Sequence, residues 1–179
     1  MNVVKYLSGL LHSIPRSVII FIVISFVAGV LILIIHKGAR KEVNNELPKF
    51  FLAYYVIVLI CSTVVFRKTR AAMRYDLVPF RSYKEILNGN VEYLLPQVIM
   101  NVLVFIPIGY LLKASFTKKK WWQVLFVGIG LSVIIETSQL LLHKGFCEID
   151  DVIHNGIGCQ IGILLASSYS NLRISSNEE

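Results

Sequence analysis

Five apolar stretches, each close to the length that crosses a lipid bilayer, leave this chain few folds to adopt. A hydrocarbon core takes about 20 helical residues at ~1.5 Å each. The blocks Ser17–Ile35, Phe50–Phe66, Leu94–Leu112, Trp121–Leu142 and Val152–Tyr169 run near that length. In lipid the backbone must satisfy its own hydrogen bonds, so continuous blocks of this kind read as helices. The expected fold is all-α, a polytopic transmembrane bundle of about five helices. Composition agrees: 55% of the 179 residues are hydrophobic and 16% charged, too little polar surface to coat a soluble domain.

Lys5 and Arg16 precede the first block as they would in a signal peptide. That block is long for a signal sequence, however, and no small-x-small cleavage site follows Ile35, so it reads as a retained helix. Three regions follow: an N-terminal helix with its basic connection over 1–49, a membrane domain over 50–170, and a polar tail over 171–179. The connections SFTKKK and HKGFCEID are short, which makes the helices they join antiparallel neighbours. The connection Arg67–Tyr93 is longer and carries six basic residues and the stretch Asp76–Phe80, DLVPF.

The net charge of +7 sits in the gaps between apolar blocks. It suits anionic lipid headgroups rather than nucleic acid, so membrane lipids are the expected partner. With five spans, nine Lys and Arg fall on each side, and the positive-inside rule returns no orientation. Cys61, Cys147 and Cys159 form no C-x-x-C or finger spacing. Neither a disulfide framework, a structural zinc nor a cofactor is expected.

Ionisable groups inside apolar blocks are costly, about 2.5–3.5 kcal/mol each, and usually face the bundle interior with a partner. Glu136 is the carboxylate set well inside a span, roughly 9 Å from its end by helical rise. Gln139 shares its helix face. Asn101 lies roughly 10 Å into block three, and Asn155 about one turn into block five, beside His154. Asp150 and Asp151 start that helix, where its dipole favours acids. Antiparallel alternation brings the start of block three, the end of block four and the start of block five to one side. Asn101, Glu136, Gln139, Asp150, Asp151, Asn155 and Arg81 are therefore expected to form one polar pocket near one membrane face. Gly158 and Gly162 make a G-x-x-x-G pair for close helix packing. Pro107 and Gly109 weaken the helix of block three.

Plainer readings stand beside these. The polar cluster also reads as interhelical hydrogen bonding that fixes the bundle, and Asp150 as a helix cap. His143 and His154 read as interface residues. A metal set of Glu136, His143, Asp151 and His154 matches no familiar ligand spacing. Lys118–Lys120 with Trp121 and Trp122 form a headgroup anchor and aromatic belt.

The order DLVPF (76–80), NVLVFIPIGYLL (101–112), ETSQ (136–139) and CEIDDVIHNGIGCQIG (147–162) resembles the VanZ-like family over roughly residues 50–168. The resemblance implies a small bacterial cell-membrane protein with a four-helix family core, to which Ser17–Ile35 adds a helix. The family's founding member is associated with resistance to the glycopeptide teicoplanin. Carried over by motif, the positions of interest are Pro79, Phe80, Asn101, Pro107, Gly109, Glu136, Gln139, Asp150, Asp151, Asn155, Gly158 and Gly162. Where family members often carry a basic residue ahead of the acidic pair, this chain has Lys144. Three functions stay open: an envelope protein engaging a lipid-linked or lipoglycopeptide ligand, a membrane enzyme using Glu136 and Asp151 as catalytic carboxylates on a lipid, and an accessory subunit.

Overall fold

The computed structural model describes residues 43–175, with side chains over 46–92 and 94–168. The block Ser17–Ile35 and residues 176–179 of the tail lie outside the described residues. Helix α1 runs Val43–Ile60 and passes into one π-helical turn, Cys61–Val65. The cause is local. Ser62 Oγ and Thr63 Oγ1 both donate to the Leu59 carbonyl, at 2.9 and 2.7 Å. Hydroxyls that compete for a helix carbonyl loosen the regular ladder, and the wider turn closes with the Phe66 N–H on the Cys61 carbonyl at 2.9 Å.

A two-residue strand β1, Tyr75–Asp76, and a short helix α2, Arg81–Leu87, follow. Long helices α3, Val91–Ser115, and α4, Trp121–Leu141, come next. The strand β2, Cys147–Glu148, leads into helix α5, Ile149–Ser175. The fold is an all-α bundle apart from the small parallel pair in which Tyr75 faces Cys147 and Asp76 faces Glu148.

Among the described residues three stretches are long and apolar enough to cross a membrane: Glu46–Val65, Leu94–Ser115 and Trp121–Leu141, each with mean hydropathy 1.9. Of the five apolar blocks, one lies outside the described residues and block five differs in kind. It is helical and longer at both ends than its apolar core suggests, yet its first half carries Asp150, Asp151, His154, Asn155 and Gln160. Backbone hydrogen bonding continues a helix through polar residues, while those residues pull its mean hydropathy down.

Helix α3 is central, touching α5 most extensively and also α1 and α4. The close approach to α5 depends on glycine. A Cβ on Gly158 would overlap the Val102 carbonyl, one on Gly162 the Ile106 carbonyl, and one on Gly109 the Cys159 carbonyl. Small residues at this spacing bring two backbones together without a side chain between them. Around this seam pack Leu59, Phe105, Ile108, Leu112, Val124, Ile135, Cys159 and Ile163. Pro107 removes one amide from α3. On the adjacent turn Tyr55 of α1 donates its hydroxyl to the Val104 carbonyl at 3.0 Å, tying α1 to α3. Ile57, Leu103, Phe126, Ile134 and Leu164 are exposed, an outward apolar surface of the kind a bilayer covers.

Candidate functional site

The connection from Arg67 to Asn90 folds over the end of the bundle where α4 finishes and α3 and α5 begin. Two residues past the end of α4, His143 has a left-handed φ of 56°, and the Lys144 N–H returns to the Gln139 carbonyl at 2.8 Å. Backbone bonds then pin the connection to this corner. The Arg70 N–H reaches the His143 carbonyl at 2.7 Å, and the Cys147 N–H reaches the Arg74 carbonyl at 3.0 Å.

Asp150 completes the fastening. Its buried carboxylate accepts the Phe80 N–H at 2.6 Å and the Ser82 N–H at 2.7 Å. It therefore caps α2 rather than its own helix. Phe80 has a φ of 62°, a left-handed conformation that costs a non-glycine residue roughly 1–2 kcal/mol. The two hydrogen bonds to the carboxylate offset that cost.

Between the connection and the helix ends lies a cavity of about 640 Å³. Its lining includes Arg67, Arg70, Arg74 and Arg81 together with Gln97, Asn101, Glu148 and Asp151. Among these, amides sit on carboxylates. Asn101 Nδ2 donates to Asp151 Oδ1 at 2.6 Å, and Gln97 Nε2 donates to Glu148 Oε2 at 2.6 Å. Gln97 also reaches Asp151 Oδ1 at 3.5 Å. Burial, and next the neighbouring Asp151 carboxylate, push Glu148 up to about 7 despite the Gln97 bond. Arg81 is held by Asp76 at 2.9 Å and Glu85 at 3.1 Å.

Of the residues singled out in the sequence, Arg81, Asn101, Asp150 and Asp151 line the cavity. Glu136, Gln139 and Asn155 do not; they stand behind it. Glu136 is buried in α4 and accepts the Glu148 N–H at 3.3 Å. Gln139 accepts from Arg67 Nη1 at 2.7 Å, and Gly145 packs so closely on that pair that a side chain there would collide. Asn155 is farther in, bonding Ser132 Oγ at 2.8 Å between α4 and α5. Pro107, Gly109, Gly158 and Gly162 lie along the apolar helix contacts, away from the cavity. His154 is buried, with Nδ1 4.0 Å from Asp151 Oδ1 and its ring edge-on to Tyr83. Among the described residues no group of three or more His, Cys, Asp and Glu side chains is arranged to hold a metal ion.

Gln97, Glu148, Arg67, Arg70 and Arg74 belong to the site and were not singled out by sequence reasoning. For Gln97 a signal existed: it stands four residues before Asn101, one turn away on the same helix face. The arginines had none, because a connection outside the apolar blocks has no period to fix which way it folds.

Residues 50–171 match the VanZ/LLP1 family. Over 127 residues the chain is 29% identical to "Protein VanZ" of Enterococcus faecium, an alignment covering 66% of this chain and 73% of that protein. No solved structure matches. The family match runs from within α1 through most of α5, with every residue that lines the cavity, and the chain is a membrane protein that belongs to the VanZ/LLP1 family.

Proposed function

We propose that this chain is a multi-pass protein of the bacterial cell membrane. In this reading its polar cavity engages an amphiphilic envelope ligand, either lipid-linked or a lipoglycopeptide, and so alters susceptibility to teicoplanin-type antibiotics. The observation that carries the reading is the position of the cavity. It lies at the end of apolar helices and is lined by both arginines and amide-held carboxylates, a place where a ligand's headgroup enters while its tail stays in lipid. Its volume is in the range of small-molecule sites.

The test is teicoplanin susceptibility of a sensitive Gram-positive host expressing the unaltered chain or Asp151→Asn at matched membrane abundance. The unaltered chain should raise the inhibitory concentration and Asp151→Asn should cancel the rise. If the unaltered chain changes nothing, the resistance role does not transfer from the relative; full activity of Asp151→Asn removes the cavity from the mechanism.

A second reading, a membrane enzyme acting on a lipid, draws on one observation: Glu136 is a buried carboxylate in an apolar helix, with Glu148 and Asp151 as electrostatic neighbours. Turnover of a membrane lipid that Glu136→Gln abolishes would favour it. An accessory role through the glycine face of α5 has less support, since α3 already occupies that face.

A further inference from the structure

Arg67, Arg70 and Arg74 follow the last apolar turn of α1 within nine residues of Val65, and all three line the cavity. They are positioned rather than trailing. The Arg70 N–H and the Arg74 carbonyl are held by main-chain bonds of 2.7 and 3.0 Å, and the Arg67 guanidinium is bonded to Gln139 at 2.7 Å.

The carboxylates that share the cavity are engaged elsewhere. Asp76 and Glu85 pair with Arg81. Asp150 holds the amides of Phe80 and Ser82. Glu148 and Asp151 hold the amides of Gln97 and Asn101. Among the described residues no carboxylate comes within ion-pair distance of Arg70 or Arg74. Arg74 lies over the Phe146 ring at 5.3 Å, which orients a guanidinium without neutralising it. Arg67 is bonded to Gln139 and has Glu136 and Asp151 as electrostatic neighbours. Two guanidinium forks without an ion-pair partner among the described residues, Arg70 and Arg74, lining one cavity beside Arg67, suit an anion with several oxygens. Their depth names the source. Arg67 stands two residues beyond the apolar stretch Glu46–Val65, at the level where arginines reach the headgroup layer.

We propose that these arginines bind the phosphate of a membrane amphiphile, whose headgroup enters the cavity while its chains stay beside the apolar helices. The carboxylates of the same cavity accept hydrogen bonds from hydroxyl or ammonium groups of the same headgroup. The proposal rests on the reading of this cavity as the ligand site and names the chemistry of the ligand.

The experiment uses the full chain in phosphatidylcholine nanodiscs, titrated with short-chain phosphatidic acid and, separately, with inorganic phosphate. Arg70→Gln/Arg74→Gln is compared with Lys118→Gln/Lys119→Gln, which removes equal charge at the opposite end of the bundle. The arginine pair should weaken phosphatidic acid binding by about tenfold or more; the lysine pair should leave it unchanged, and Arg70→Lys/Arg74→Lys should restore part of it. Unaltered affinity in the arginine pair, or equal loss in both pairs, overturns the proposal. Inorganic phosphate binding as tightly as the lipid keeps the anion site and overturns its membrane source. The readout is binding, not resistance. A null susceptibility result with this binding intact thus strikes the resistance reading, and the reverse pattern strikes only the ligand class.

Discussion

Asn101 in α3 donates to Asp151 in α5 at 2.6 Å, so one amide–carboxylate bond joins two helices at the wall of the cavity. A carboxylate acceptor makes this a stronger bond than a neutral amide pair. Asn101→Leu removes the donor and leaves the carboxylate short of a partner. We expect a loss of about 1–3 kcal/mol, seen as a lower melting temperature in detergent. Asn101→Asp should cost more at neutral pH, because it sets a second carboxylate against Asp151.

Asp150 holds α2 from a distance of 70 residues in sequence. Asp150→Ala frees the amides of Phe80 and Ser82 together and leaves the left-handed Phe80 without its support. Hydrogen exchange should speed at those two amides first, while the core of α3 keeps its protection. Equal acceleration in both places would show that Asp150 supports the whole bundle rather than α2.

Gly158 and Gly130 make a matched pair. A Cβ at Gly158 meets the Val102 backbone, and one at Gly130 meets nothing within 4 Å. Gly130→Ala should stabilise α4 by about 0.5–1 kcal/mol through helix propensity. Gly158→Leu should destabilise by about 1–3 kcal/mol or more, since backbone cannot yield as a side chain can. Cys159 is fully buried, so the temperature at which its thiol becomes reactive to a maleimide dye reports both changes.

The Glu148 carboxyl is pushed up to about 7 from its ordinary value of 4.5. Between those values the folded protein binds more protons at this position than the unfolded chain, so stability falls as pH rises through that window. Glu148→Gln should flatten the slope between about pH 4.5 and 7. Melting temperatures measured across that range for both proteins check the sign as well as the size.

The helices were legible because apolar period and length survive any tertiary context. Trp121–Leu141 begins where its apolar block begins and ends one residue short of it. Glu136 and Asn101 were visible for the opposite reason, as polar groups where lipid forbids them. What the sequence hid lies in the connection after α1. Nothing in the spacing of Arg67, Arg70 and Arg74 says that they lean on Gln139, His143 and Cys147: the bonds of Arg70 to His143 and of Arg74 to Cys147 are main-chain bonds that any residue could make, and the Arg67 side chain reaches Gln139 across 72 residues of sequence. Asp150 was visible as a cap, but a carboxylate at a helix start does not announce that the amides it takes belong to another helix.

The fastening of Phe80 by Asp150 also sets the order of assembly. A chain made from its N-terminus presents the arginine connection first, and the residues that secure it arrive 70 positions later. Until α5 is inserted, that connection has neither its cap nor its β2 partner. The cavity therefore cannot close before α5 is in place, and truncation before Asp150 would yield apolar helices whose end connection has lost its fastening.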